Sequence, residues 1–206
     1  MRRSAFFSAF PVAIVVALAA ASCTSGPGPA HQVEYLKRIA EARATKDRAF
    51  REEPEPIPVS KRDTLLPLRY YAPDPAFSVP AELKLANERP VFEMPTSTGK
   101  LRRMQRVGLL EFSLRGQSMS LAAFVPEGER IESLFVPFAD VTTGKDTYAA
   151  GRYLDLHPTT TGFYTIDFNL AYNPTCAYNA EYDCPYPPSS NRLKVEIRAG
   201  EKAPGA

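Results

Sequence analysis

The sequence predicts a mainly β protein: a sandwich or barrel of about eight short strands with one N-terminal α-helix, in a single domain. Three observations carry that expectation. Proline occurs 20 times in 206 residues, with 11 Gly and no Trp, about twice the usual proline share of roughly 5 % and suited to many turns. From Leu68 onward, short apolar, β-branched and aromatic runs alternate with turn signals. Only Gln32 to about Arg51 spaces its apolar residues as a helix does.

The chain opens MRRSAFFSAFPVAIVVALAAASC, with Arg2 and Arg3 before an apolar run from Ala5 to Ala21 and small residues leading to Cys23. This is the layout of a signal peptide over residues 1–22, too short and weakly flanked for a membrane span. Ala20-Ala21-Ser22-Cys23 resembles a bacterial lipobox, although Ala20 stands where Leu is usual. The expected partner is therefore a lipid bilayer, reached through lipidated Cys23, which anchors a domain without spanning. The expected location is the bacterial cell envelope, facing the periplasm. A cut after Ala19-Ala20-Ala21, giving a soluble secreted protein, is the alternative. Removing the signal takes away two of 25 Lys+Arg and none of 23 Asp+Glu. The balance that remains offers nucleic acid no electrostatic attraction.

Cys23 and a flexible tether are expected over residues 23–30, and a helix over 31–53 with Val33, Leu36, Ile39 and Ala40 at helical spacing. Pro54, Pro56 and Pro58 end it. The all-β domain then occupies residues 54–206. Its strands are expected at Leu68–Tyr71, Leu83–Ala86, Val91–Pro95, Arg102–Leu114, Met119–Val125, Leu134–Pro137, Tyr164–Leu170 and Arg192–Arg198. Thr98-Gly99 and Arg115-Gly116-Gln117 read as hairpin turns.

The familiar hydrolase signatures are absent: no G-x-S-x-G and no H-E-x-x-H occurs, and His31 and His157 are the only histidines. Gly99-Lys100 and Gly144-Lys145 lack the remaining residues of a phosphate loop. Two cysteines besides Cys23 and one distant His fall short of a four-ligand zinc shell, so neither metal nor cofactor is expected. In an oxidising envelope, Cys176 and Cys184 most simply form a disulfide, closing a loop stiffened by Pro174 and Pro185. Such a short loop contributes on the order of 2–3 kcal/mol. A reactive thiol is the competing reading.

Polar residues concentrate in two stretches. In FADVTTGKDTYAAGRYLDL, Arg152 stands among Asp140, Asp146 and Asp155, either as a structural ion pair ordering a long loop or as a grip on an anionic or sugar ligand. In YTIDFN, Asp167 and Asn169 share one face if the strand continues. The chain then enters AYNPTCAYNAEYDCPYPPSSN, with four Tyr, four Pro, three Asn and two Cys.

The string Asp-Phe-Asn … Ala-Tyr-Asn-Pro … Cys-Ala-Tyr … Cys-Pro … Asn-Arg-Leu, with TTGKDTYAAGRYLDL before it, resembles the bacterial domain-of-unknown-function 1684 family from about Lys37 to Lys202. One departure is Ala149-Ala150-Gly151, where the family pattern has a run of glycines. The resemblance brings no activity with it. Its members include envelope lipoproteins and proteins without export signals, which shifts weight from a loop stapled for stability toward a loop built around a site.

Three functions compete. The first is an envelope lipoprotein binding a small polar ligand or envelope component through Arg152, Asp155, Asp167, Asn169, Tyr172, Asn173 and Tyr178, since rings stack and amides pair hydrogen bonds. The second is a hydrolase using Asp155 or Asp167 as acid or base, or Cys176 as nucleophile. The third is a structural module docking another protein. The sequence leaves open whether the chain is an enzyme.

Overall fold

The structure is a computed structural model and describes residues 29–205. The expected signal peptide and Cys23 lie outside the described residues. Helix α1 runs Pro29–Glu52 and so takes in the end of the expected tether. A 3-10 turn (Val59–Lys61) and the one-turn helix α2 (Arg62–Leu65) lead to the sheet.

Seven strands form one antiparallel sheet: β1 (Ser78–Leu85), β2 (Val91–Pro95), β3 (Leu101–Leu114), β4 (Gln117–Pro126), β5 (Leu134–Phe138), β6 (Arg152–Leu156) and β7 (Phe163–Asp167). Their order is β6-β5-β4-β3-β1-β7, with β2 paired to β3 beside β1. The sheet curls into a half-barrel whose two end strands, β6 and β7, approach without pairing. The expected mainly β class with an N-terminal helix is therefore the one observed.

The β3–β4 hairpin is the spine. Arg115 and Gly116 turn it with φ of 51° and 78°, the left-handed pair that suits the twist of two strands. Along β4 the side chains alternate between two apolar clusters: Leu121, Ala123 and Val125 face the main core, Ala122 and Phe124 the smaller one. In β3 the alternation is re-phased. A register shift between Arg106 and Gly108 inserts a residue, so Met104 lies in the small cluster while Val107, Leu110 and Phe112 lie in the main core.

The structure departs from the sequence reading at several places. Leu68–Tyr71 and Arg192–Arg198 are not strands; each makes only isolated bridges, such as Tyr70 with Glu201 and Ala139 with Arg192. Leu193 and Ile197 are buried as their alternation suggests, but side chains replace a partner strand. Asn191 donates to the carbonyls of Ala122 and Pro137 at 2.9 and 2.7 Å and accepts from the Ala122 amide at 2.8 Å. Strand β7 stops at Asp167, because the Asp167 carboxylate accepts from the Asn169 amide at 3.1 Å and starts a 3-10 turn. Strand β6, RYLDL, replaces what reads as loop.

Candidate functional site

Arg152 opens β6 and is 1 % exposed. Its guanidinium meets Asp140 at 3.1 Å and donates to the carbonyls of Ile197, Ala199 and Glu201. Asp140 also accepts from the Ile197 amide at 2.7 Å. A buried charge is tolerable only when it is paired and hydrogen-bonded, and here protein groups take its four Nη donors. Arg152 therefore ties the C-terminal segment to the sheet and offers a ligand nothing. Gly151 just before it has φ +86°, and a Cβ there would sit 2.6 Å from the Phe138 carbonyl, so this glycine of the loop is required by the close approach.

Asp167, Asn169, Asn173 and Tyr178 are likewise buried and, apart from the Asn173 Oδ1, engaged. Asp167 accepts from Tyr35 at 2.9 Å, from the Asn169 amide and from Asn169 Nδ2 at 3.1 Å, with Arg38 at 3.6 Å. Asn169 Nδ2 also donates to the Asp74 carbonyl at 2.8 Å. Asn173 and Tyr178 converge on Glu201, a 1 % exposed carboxylate. It accepts from the Asn173 amide at 2.7 Å and the Tyr178 hydroxyl at 2.6 Å, and pairs with Lys46. Burial, then the Glu201 charge, pushes the Tyr178 phenol far above its ordinary range.

Tyr35, Arg38 and Lys46 among these partners come from α1, where the sequence marks only Val33, Leu36, Ile39 and Ala40 as a helical face. Tyr35, Ile39, Arg43, Lys46 and Phe50 lie on one face by their spacing. Arg43 donates to the Tyr71 carbonyl at 3.0 Å, and Asp47 accepts from the Leu68 amide at 3.0 Å. Phe50 packs edge-on against Tyr178 at 5.4 Å. This face, largely polar, carries no apolar periodicity; only the i, i+4, i+8 recurrence of Tyr35, Ile39 and Arg43 signals it. Glu201 gives no signal in the sequence.

Asp155 and Tyr172 remain available. Asp155 is exposed on β6 and accepts from the half-buried Tyr172 hydroxyl at 2.5 Å. Two clefts meet at this pair and at Leu170. One, of 640 Å³, lies between β6 and β7 with Arg38, His157, Phe163, Tyr164 and Thr165 on its walls. The other, of 460 Å³, runs along α1 past Arg43, Lys46 and Tyr70. Lys46 Nζ lies 5.0 Å from the Tyr172 ring centre. Tyr153 exchanges backbone hydrogen bonds with Tyr172 across the outer edge of β6, so the Asp155 amide and carbonyl, two residues on, point the same way into the gap.

The expected Cys176–Cys184 disulfide is not formed: both are buried free thiols. Cys184 Sγ accepts from the Cys176 amide at 3.1 Å and lies 3.4 Å from the Thr175 hydroxyl. Hydrogen bonds hold the loop instead. Cys184 and Ser97 exchange them at 2.9 and 3.0 Å, and the Tyr186 amide reaches the Pro95 carbonyl at 2.8 Å. The neighbouring Cys184 sulfur, then burial, pushes Cys176 well above the usual thiol range. The Cys176 thiol beside it pulls Cys184 down. Among the described residues no three His, Cys, Asp or Glu side chains converge as metal ligands, and no helix is long and apolar enough to cross a membrane.

The molecule is thus a curled-sheet half-barrel with a polar cleft at its open side. It belongs to the family described as Protein of unknown function (DUF1684), which matches residues 64–202. Its fold is similar to the solution NMR structure of an uncharacterized protein of Haloarcula marismortui, with 37 % identity and a TM-score of 0.67 over 85 % of this chain and 97 % of that one. No curated protein matches the chain.

Proposed function

We propose that the half-barrel is a binding module for a small, hydroxyl-rich polar molecule of the cell envelope, held at Asp155 and Tyr172, on a chain anchored through lipid at Cys23. The observation that carries the reading is the exposed Asp155 carboxylate, paired with Tyr172 where the 640 and 460 Å³ clefts meet. A carboxylate accepts from ligand hydroxyls, and the Phe163 and Tyr172 rings at the cleft supply faces for stacking. Arg38 and Lys46 stand at either end, each paired with a buried carboxylate, Asp167 and Glu201. The unpaired edge of β6 adds backbone donors and acceptors.

The hydrolase alternative narrows to Asp155. Asp167 has both oxygens taken by donors, and Cys176 is buried, its thiol pushed above the usual range by the Cys184 sulfur and by burial.

The test is calorimetric titration of the purified Cys23→Ala chain with a panel of neutral and acidic oligosaccharides and polyols. A member of the panel is expected to bind, with at least about tenfold loss in Asp155→Asn and a smaller loss in Tyr172→Phe, as the loss of one charged hydrogen bond implies. Failure of the whole panel to bind, or binding indifferent to both substitutions, would overturn the reading.

A further inference from the structure

On the far side of Tyr172 lies a third cleft, of 340 Å³, bounded by Arg102, Phe135, Tyr153, Thr175, Asp183 and Cys184. Cys184 lines it and Cys176 does not. We propose that Cys184 is a reactive thiolate which small diffusible disulfides modify through this cleft by thiol–disulfide exchange. The inference is independent of the ligand site at Asp155.

Geometry singles out Cys184. Its sulfur accepts from the Cys176 amide at 3.1 Å, with the Thr175 hydroxyl at 3.4 Å. We assign the neighbouring Cys176 thiol, itself within 3.9 Å of the Tyr148 hydroxyl, as a further donor. The amide, with a hydroxyl and a thiol beside it, favours the anion of this sulfur over its thiol. The charged and titratable groups facing it are Cys176 and Tyr148 from its own loop and the turn before β6, Tyr153 from β6, Arg102 from β3 and Asp183 beside it. Arg102 supplies the positive charge. Asp183, which would oppose the anion, is engaged by Arg102 at 3.1 Å and by the Thr98 hydroxyl. Cys176, whose amide donates to Cys184 and which does not line the cleft, is the less reactive thiol, the reverse of the nucleophile named from the sequence.

The chemistry needs one co-reactant, a disulfide RS–SR. Cys184 Sγ attacks one of its sulfurs, the S–S bond breaks, and RS⁻ leaves and takes a proton from water. The chain gains one RS group in a mixed disulfide, so the Cys184 sulfur is oxidised and the departing sulfur reduced.

The experiment follows the coloured thione released from a dithiodipyridine by the folded Cys23→Ala chain, from pH 5 to 9, with peptide mapping of the adduct. Cys184 is expected to react first and to stay reactive at about pH 6, where ordinary thiols are protonated. Cys184→Ala should abolish that phase. Cys176→Ala should slow it about tenfold at the same pH, as a rise of about one pKa unit implies. Cys176→Ser, which keeps a donor, should restore it. Thr175→Val, which leaves both thiols in place, should also slow it and serves if the cysteine variants unfold. Reaction at Cys176 first, reaction only after denaturation, or a pH profile unmoved by all of these variants would overturn the proposal.

Discussion

Arg152 and Asp140 meet at 3.1 Å with side chains 1 % and 0 % exposed, and three backbone carbonyls fill the remaining Nη donors. Removing one partner strands the other as an uncompensated buried charge, which costs about 3–5 kcal/mol. Asp140→Ala is therefore expected to lower the urea midpoint severely, whereas Glu127→Ala, which breaks the exposed pair with Arg103, should leave it unmoved. Both are read from chemical unfolding curves. The Arg-among-Asp motif was legible in the sequence, and so was a structural pair as one of its readings. Its burial was not, because the three carbonyls that make burial tolerable belong to residues some 45 positions downstream.

Helix α1 shows the same limit at the scale of the element. Its existence follows from spacing, but of the apolar residues that mark it, Val33 is 67 % exposed and Ile39 is 0 % exposed. The docked face is instead Tyr35, Ile39, Arg43, Lys46 and Phe50, whose polar groups complete Asp167, Glu201 and the Tyr71 carbonyl. Ile39→Ala is expected to cost about 2–4 kcal/mol in thermal or chemical unfolding, and Val33→Ala close to nothing. Hydrogen exchange should show the Ile39→Ala chain opening at α1 while the β3–β4 hairpin stays protected. Strand β6 carries the converse lesson. RYLDL alternates poorly because Arg152, Tyr153 and Leu154 are all buried, on opposite faces, so the period-two signal that finds β4 and the second half of β3 is missing there.

For the whole molecule, the curl of the sheet decides what faces solvent. It brings β6 and β7 near enough to wall a cleft and leaves their outer edges largely unpaired, and around it stand phenols buried against carboxylates and thiols. Burial, first among the causes in each case, raises Tyr35, Tyr70, Tyr153, Tyr172 and Tyr178, and Tyr148 is pushed up to about 12. In the unfolded chain these phenols ionise near pH 10. The native state therefore binds more protons above that pH. The stability these groups contribute is complete below about pH 10 and is lost as pH rises toward 12. Unfolding midpoints should fall steeply across that window, and the tyrosinate absorbance of the folded chain should lag that of the denatured chain. Coincident titrations would show that the phenols are solvated.

By itself the sequence determined the class, the N-terminal helix, the boundaries of β2 to within a residue and of β3–β5 nearly so, and the two polar stretches where a site had to be sought. Those features rest on local physics: turn chemistry at Arg115-Gly116, alternation along each strand, and helical spacing. Only the tertiary structure decided which polar residues are spent and which are free. Arg152, Asp167, Asn169 and Tyr178 have their hydrogen bonds taken largely by residues distant in the chain, such as Tyr35 and Glu201, leaving Asp155 and Tyr172 at the cleft. Likewise, the spacing of two cysteines cannot say which sulfur receives the donors. A side chain's availability depends on partners brought together by folding, and no local pattern carries that information.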